Sequence, residues 1–366
     1  MIIREKTNIA GYLLSDRVRH NLVYFLYCIY ELRYGKILLN NCGYFPVSLQ
    51  DDNACQLQLY IELMKTAAIK TTEKITLCEL GCGQGHGGIF LLKNYFTSNS
   101  DFTGFDISEL AITYCKLKYR RIKNASFAVN KQGIPCADES FDVVMSVETS
   151  VPRYDENLMA VYRCLKPDGL FVFFETYIVS DKHNIDQQLE RHGFEIVEKN
   201  NVTDKVVAAF IADHDRKIRE LNKFYFLPKK IIDFLSGYMG VVGSTRFENY
   251  AQHKKNAFIY VLRKSPNLFI GYAEKITNKG VYGWAHDINS NEPVNISLWV
   301  NEVFISNTIA NLERQDVAAI HGKQSLYSGF YIPLFLEKDK TYTVQLRYTQ
   351  TGLHLANSPL DYFAQN

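Results

Sequence analysis

Short apolar runs alternate with longer amphipathic stretches through the middle of the chain. The runs fall close to residues 75–77, 102–105, 143–147 and 170–173, and helix-like segments separate them. Buried strands that alternate with helices are typical of a parallel sheet covered by helices on both faces. The pattern therefore predicts an α/β fold with a doubly wound sheet over residues 61–264.

Two helical regions flank or interrupt this alternation. Residues 1–60 are predicted to form an N-terminal helical cap, broken by a turn-rich stretch at residues 40–46. Residues 205–250 are predicted to form a helical, aromatic-rich insertion. A strand predicted at residues 256–262 follows the insertion and closes the sheet. The insertion therefore comes directly before the last strand.

The pattern changes after residues 265–267. Short segments that alternate between apolar and polar positions occur at residues 280–285, 294–300, 302–309 and 341–348, separated by turns rich in Asn, Gly and Pro. This spacing predicts a small all-β sandwich domain over residues 268–366.

Composition narrows the possible functions. The 366 residues carry 41 basic and 39 acidic side chains, a net charge of +2, with no long basic run, so no nucleic-acid partner is expected. The longest early apolar run, residues 22–30, is far shorter than the roughly 20 residues that cross a bilayer, so no transmembrane segment is expected.

The eight cysteines show no C-x-x-C spacing. We therefore expect no metal site, no secreted disulfide framework, and a cytoplasmic protein.

A glycine-rich segment carries most of the chemistry. Residues 78–88 read Cys-Glu-Leu-Gly-Cys-Gly-Gln-Gly-His-Gly-Gly, between an apolar run and a helix-like run. Glycine allows positive φ and close backbone approach, and a helix start offers free N–H groups to an anion. The Gly83-x-Gly85-x-x-Gly88 spacing also satisfies the dinucleotide pattern. Asp106, which ends the next strand, could accept two ribose hydroxyls in either class of cofactor site.

Three blocks resemble the class I S-adenosylmethionine-dependent methyltransferases, which have a Rossmann-like sheet. They are Glu-x-Gly-x-Gly-x-Gly from Glu79, the loop and strand at residues 133–144, and the turn at residues 165–173. Over about residues 20–264 the chain resembles the phthiotriol dimycocerosate methyltransferase-like small-molecule O-methyltransferases. The further matching segments are Asn-x-Gly-Tyr from Asn41, Val-Glu-Thr-Ser at residues 147–150, and Gly-Ser-Thr-Arg-Phe at residues 243–247.

The resemblance implies S-adenosyl-L-methionine as the cofactor and a set of site residues. The implied cofactor-binding residues are Glu79, Gly81, Gly83, Gly85, Asp106, Ile107, Asn130, Lys131, Gln132 and Ser146. Asn130 stands where relatives usually have Asp for the adenine amino group. Glu79 could orient the glycine loop or bind the methionine ammonium.

Relatives place a histidine, their general base, after the segment that ends here at Ser150. This chain has Val151 there, so the resemblance leaves the identity of the general base open. Glu148 and His86 are the catalytic candidates. Glu148 could abstract a proton, with burial raising its pKa, or orient the substrate. His86 could be a neutral base or a structural residue. Loss of the histidine also favours an acceptor acidic enough to ionise unaided.

The implied acceptor is an oxygen of a small-molecule, lipid-like, or glycan or glycolipid compound. The aromatic residues of the insertion, Tyr225, Phe226, Phe234 and Tyr238, could be ordinary core or the lining of an apolar acceptor pocket. The C-terminal segment weakly resembles accessory β-domains of surface-glycan enzymes. A homo-oligomer or a protein partner could form through that domain. The alternative function is a catalytically inactive cofactor-binding scaffold.

Overall fold

The computed structural model describes residues 16–39, 41–130, 134–180, 185–266, 269–277, 279–288 and 290–364. In these ranges two helices, α1 (Asp16–Tyr34) and α2 (Ala54–Thr66), precede the first strand. Within the described ranges, no helix is both long and apolar enough to cross a membrane.

A seven-stranded sheet forms the centre of the first part of the chain. Its strands are β1 (Thr76–Leu80), β2 (Asp101–Asp106), β3 (Ala125–Val129), β4 (Phe141–Val147), β5 (Leu165–Ile178), β6 (Phe194–Asn201) and β7 (Lys255–Lys264). They lie in the order β3-β2-β1-β4-β5-β7-β6. The pairs from β3 to β5 are parallel, and β7 runs antiparallel to both its neighbours. The predicted doubly wound sheet is confirmed.

Helices connect the strands and cover both faces of the sheet. They are α3 (His86–Asn94), α4 (Glu109–Lys118), α5 (Asp155–Cys164) and α6 (Ile185–Arg191). In β4, Val143 and Met145 belong to one buried core cluster and Val144 to another. Since successive side chains of a strand point to opposite faces, a continuous apolar run fills two cores at once.

Four helices lie between β6 and β7, where the helical insertion was predicted. They are α7 (Thr203–Ala212), α8 (His214–Asn222), α9 (Lys229–Met239) and α10 (Thr245–Ala251). Leu221, Leu235 and Met239 of this insertion form a third core cluster with Leu26 and Tyr30 of α1. The insertion and the N-terminal helix therefore pack as one unit beside the sheet.

Two antiparallel sheets form the last part of the chain. The strands are β8 (Phe269–Ile276), β9 (Gly280–Asp287), β10 (Val294–Val300), β11 (Val303–Ala310), β12 (Gly329–Pro333), β13 (Thr341–Tyr348) and β14 (Leu360–Phe363), with α11 (Gln315–His321) between β11 and β12. One sheet has the order β11-β10-β13-β14 and the other β12-β9-β8. Val281 of β9 and Leu298 of β10 are both fully buried in one core cluster, so the two sheets pack as a sandwich.

The sandwich meets the seven-stranded sheet at the edge where β5 begins and β7 ends. There the Tyr162 hydroxyl donates to the Ser265 carbonyl (2.7 Å), and His192 Nδ1 lies 2.7 Å from the Gln350 carbonyl oxygen. Gly352 packs so closely on α5 that a Cβ would lie 2.9 Å from that of Met159. This edge is opposite the one at which β1, β2 and β4 end.

Cys136 and Cys164 are joined as a disulfide, with their Cα atoms 6.6 Å apart. The Arg163 guanidinium draws the loop before β4 onto the end of α5, since it donates to the carbonyls of Ile134 (2.8 Å) and Cys136 (2.7 Å). The other six cysteines are free.

The division of the chain near residues 265–267 remains a prediction, and truncation after Lys264 tests it. We expect the shortened chain to retain S-adenosylmethionine binding, because the glycine loop and Asp106 lie at the opposite sheet edge. Its melting temperature should fall, because truncation exposes the face around Met159 and Tyr162 to water.

Isothermal calorimetry and circular dichroism measure the two effects of truncation. A shortened chain that keeps its helical spectrum but no longer binds the cofactor would show that the boundary is wrong.

Candidate functional site

The glycine loop joins β1 to α3 and lies against the end of β2. Gly81, Gly83 and Gly85 all have positive φ, of 71°, 52° and 71°. The backbone N–H groups of Gly81 and Cys82 donate to the Phe105 carbonyl at 2.7 and 3.0 Å. A Cβ on Gly81 would lie 2.2 Å from Thr149 Cγ2, so both the backbone angle and the available space require glycine there.

Asp106 ends β2 and connects two loops. Its Oδ2 accepts the N–H of Gly83 and its Oδ1 accepts the N–H of Ser108, both at 2.8 Å. The Ser108 hydroxyl in turn caps α4 by accepting from Ala111 N at 3.1 Å. The side chain is buried, and its two oxygens are held in a fixed orientation beside the glycine loop.

Glu79 lies on the α3 side of the same loop. It is 1% exposed, and its Oε1 accepts from the Tyr60 hydroxyl at 2.9 Å. A Cβ on Gly88 would lie 2.8 Å from Glu79 Oε2, which shows how closely α3 begins against the carboxyl group. Burial raises the pKa of Glu79 to about 8. Of the two roles that the sequence allows, this position favours ordering of the glycine loop.

The remaining predicted cofactor residues surround the same sheet edge. Ser146 is buried on β4, paired with Leu80 of β1, whereas Ile107 is 48% exposed directly after Asp106. The backbone N–H of Asn130, after β3, donates to the Asp106 carbonyl at 2.9 Å. Lys131 and Gln132 lie outside the described residues.

Helix α1 covers the glycine loop, a feature that the sequence did not predict in detail. A Cβ on Gly83 would lie 3.1 Å from the Tyr24 hydroxyl, and the Ser108 hydroxyl donates to Asn21 at 2.5 Å. Helix α1 of the N-terminal cap therefore covers the glycine loop and the start of α4.

The donor and acceptor groups at this edge fit S-adenosylmethionine. Each Asp106 oxygen accepts one backbone N–H and, because a carboxylate oxygen has two lone pairs, can accept a ribose hydroxyl as well. The left-handed glycines leave the backbone at Gly81 and Gly83 without side chains that would keep a ligand at a distance.

His86 begins α3 and faces α4. Its Nδ1 lies 2.5 Å from the Tyr119 hydroxyl and its Nε2 3.5 Å from the Tyr114 hydroxyl. Burial and the Lys118 charge lower the pKa of His86 to about 3. A neutral imidazole held between two tyrosines is a weak base, so the geometry favours the structural role of the two that the sequence left open.

Glu148 lies in a strained turn after β4. Glu148 and Ser150 both have positive φ, of 55° and 58°, which is uncommon for residues other than glycine. Two interactions hold the turn: the Ser150 N–H donates to Glu175 Oε2 at 2.7 Å, and Arg246 Nη2 donates to Glu148 Oε1 at 2.6 Å. Strain of this kind is concentrated at functional sites.

The Glu148 carboxylate belongs to a four-residue group that links distant parts of the chain. Its Oε1 also accepts from the Cys42 thiol at 2.7 Å, and that sulfur lies 3.5 Å from the Tyr250 hydroxyl. Burial raises the pKa of Cys42 to about 12, so the thiol keeps its proton. The group, which we call the acceptor-side cluster, consists of Cys42, Glu148, Arg246 and Tyr250.

Sequence reasoning did not identify Cys42 or Tyr250 as site residues. Arg246 and Cys42 lay inside the matching segments at residues 243–247 and 41–44, which were the available signals. Among the aromatic candidates, Tyr225, Phe226 and Phe234 are exposed, at 74%, 48% and 39%. The backbone carbonyl of Tyr238 accepts from Arg246 Nη1 at 2.6 Å, which places Tyr238 next to the cluster.

Comparison with known proteins agrees with this geometry. A family model described as a methyltransferase domain matches residues 71–225. A fatty-acid O-methyltransferase from Mycolicibacterium smegmatis is 30% identical over 157 residues, which cover 40% of this chain and 56% of that protein. A phthiotriol/phenolphthiotriol dimycocerosates methyltransferase from Mycobacterium tuberculosis is 30% identical over 131 residues, covering 35% and 47%. The chain thus spans about half the length of these relatives.

A solved structure of a cyclopropane synthase from Mycobacterium tuberculosis shares the fold, with a TM-score of 0.52 and 11% identity, covering 71% of this chain and all of that one. The name of that protein shows that the fold alone does not determine the reaction. Residues 71–225 therefore match a methyltransferase domain, and the sheet has the fold of the class I S-adenosylmethionine-dependent methyltransferases.

Proposed function

We propose that this chain transfers a methyl group from S-adenosylmethionine to an oxygen atom of a small, lipid-like acceptor. The main support is the contact between the two halves of the site. Thr149, beside Glu148, lies so close to Gly81 that only glycine fits there. The turn that carries Glu148 of the acceptor-side cluster therefore contacts the glycine loop directly.

The relatives support the acceptor class. Their names specify a fatty-acid O-methyltransferase and a phthiotriol/phenolphthiotriol dimycocerosates methyltransferase. The first of these names specifies a fatty acid, which favours the lipid-like acceptor over the glycan that the C-terminal resemblance implies.

In this proposal the protein mainly positions the reactants. When bound, the cofactor supplies an electrophilic methyl group on a sulfonium. Asp106 would accept the ribose hydroxyls, Asn130 would accept from the adenine amino group, and Glu79 would keep the glycine loop in place. Alignment of acceptor oxygen, methyl carbon and sulfur supplies much of the rate enhancement of such a transfer.

Glu148 acts in this proposal as a positioning residue for Arg246. Its Oε1 is engaged by both the guanidinium and the Cys42 thiol. This arrangement suits orientation of the acceptor better than removal of its proton.

Incubation with methyl-labelled S-adenosylmethionine and decanoate, decanol or a phenol tests the proposal, with labelled product measured by mass spectrometry. The proposal expects label on oxygen of at least one acceptor. Cofactor binding without turnover on any acceptor would instead support the inactive scaffold.

Substitution Asp106→Ala should lower cofactor affinity at least tenfold, because each charge-assisted hydrogen bond lost costs about 1.5–3 kcal/mol. Asp106→Asn should have a milder effect, because one acceptor oxygen remains. Calorimetry measures the affinity. The melting temperature of the variant shows how much stability is lost with the contacts to Gly83 and Ser108. Asp101→Ala, at the exposed start of the same strand, is the control and should change nothing. Unchanged affinity in Asp106→Ala would exclude Asp106 as the ribose ligand.

Substitution Glu148→Gln should leave cofactor affinity unchanged and lower kcat less than tenfold, because the amide oxygen still accepts from Arg246. Glu148→Ala should mainly raise the KM for the acceptor, because Arg246 loses its anchor. Steady-state kinetics separates the two parameters. A loss of about 10²–10⁴ in kcat for Glu148→Gln would instead identify Glu148 as the general base.

A further inference from the structure

Two buried side chains beside the acceptor-side cluster lack hydrogen-bond partners. The Lys217 ammonium on α8 and the Tyr27 hydroxyl on α1 make no hydrogen bond to any residue that the structure describes. The two residues are 2% and 3% exposed. The nearest carboxylate oxygen to Lys217 Nζ, Asp213 Oδ2, is 3.7 Å away. Unsatisfied buried donors are rare and call for an explanation.

Both donors lie next to the acceptor-side cluster. Lys217 packs on Phe210, whose ring is 5.6 Å from that of Tyr250, a member of the cluster. Tyr27 belongs to the apolar cluster against which Tyr238 packs, and the Tyr238 carbonyl accepts from Arg246. Three donors, from α1, α8 and α10, therefore lie in one part of the molecule.

Lys217 has no carboxylate of its own among the described residues. Asp213, its ion-pair partner at 3.7 Å, also accepts from Arg216, whose Nη2 donates to its Oδ2 at 2.6 Å, and Glu148 is paired with Arg246. Lys217 therefore shares its counter-ion with a closer cation. A buried charge that is incompletely paired is unfavourable unless a further counter-charge binds.

The side chains packed around Lys217 are aromatic. Lys217 Nζ lies 4.6 Å from the centroid of the Phe210 ring, whose own neighbours include Tyr250 at 5.6 Å and Phe247 at 6.3 Å. The Phe210 ring face partly compensates the charge but accepts no ordinary hydrogen bond. Donors surrounded by aromatic rings suit a molecule with an anionic group and an apolar body.

We infer that Lys217, Tyr27 and Arg246 form the binding site for a carboxylate group of the methyl acceptor. This inference rests on the proposed function and identifies the acceptor as a carboxylic acid. A carboxylate oxygen forms a bond to the methyl carbon while the carbon–sulfur bond breaks and its electron pair goes to sulfur. An anion and a sulfonium cation give a neutral methyl ester and a thioether.

No proton leaves in this step. The absence of a histidine after Ser150 therefore has a chemical explanation, because an ionised carboxylate needs no general base.

Calorimetry with decanoate, and with decanol as the uncharged probe, tests the inference on the full chain in the presence of S-adenosylhomocysteine. The wild-type protein should bind decanoate at least tenfold more tightly than decanol. Lys217→Met, which keeps the length of the side chain but not its charge, should remove this preference, and Lys217→Arg should retain part of it. Lys229→Met, an exposed lysine of the same insertion, is the matched control and should behave as wild type.

Two results would overturn the inference: equal affinity of the wild type for the two probes, or an unchanged preference in folded Lys217→Met. Transfer of methyl to decanol but not to decanoate would also overturn it, while supporting the proposed function. Selective binding of decanoate without methyl transfer to any acceptor would support the site and contradict the proposed function alone.

The affinity for decanoate should also depend on pH. Burial lowers the pKa of Lys217 to about 8, so the ammonium is charged below that pH and neutral above it. The groups that face it are Asp213, Arg216, Arg246 and Cys42; both guanidinium pKa values are raised, and the thiol pKa is about 12. Decanoate affinity should therefore fall as the pH rises from 7 to 10, whereas Lys217→Met should show a flat profile.

Discussion

The Asp106 carboxylate determines the geometry of the cofactor side of the site. It accepts two backbone N–H groups from different loops, one at Gly83 and one at Ser108. A buried carboxylate is tolerated only when its oxygens are hydrogen-bonded, so this requirement fixes the glycine loop relative to the start of α4. The left-handed glycines follow from it, because the loop must turn sharply to present its N–H to β2. The cofactor site is thus a consequence of where two parallel strands end.

The acceptor side is built differently, from segments far apart in the chain. Cys42, Glu148 and Arg246 come from the segment after α1, the turn after β4 and helix α10. The fold is shared with proteins that catalyse other reactions, whereas this combination depends on how α1 and the insertion pack on the sheet. The electrostatics of the acceptor side is therefore more informative about the substrate than the Rossmann-like sheet is.

Sequence reasoning predicted the sheet because its central strands are continuous apolar runs, which have no other stable place in a soluble fold. It did not predict β6 (Phe194–Asn201), because that edge strand is mostly polar and half exposed. The glycine loop and Asp106 were predictable because the residues that could bind the cofactor lie next to the strand ends that place them, within one short segment of the sequence. Cys42 was not, because its partners Glu148 and Arg246 are 106 and 204 residues away. The orientation of His86 towards α4 was also not predictable, since it depends on how two helices pack.

The β-sandwich occupies the sheet edge opposite both halves of the site. Its contacts with α5 and with the residues after α6 lie where β5 begins, whereas the glycine loop and Glu148 lie where β1 and β4 end. The described contacts of the sandwich therefore lie away from the glycine loop. The proposed chemistry uses the sheet, the N-terminal cap and the insertion, and Lys217 belongs to the insertion. In this proposal the sandwich affects activity through stability, or through a partner that it binds, rather than through contact with the reacting atoms.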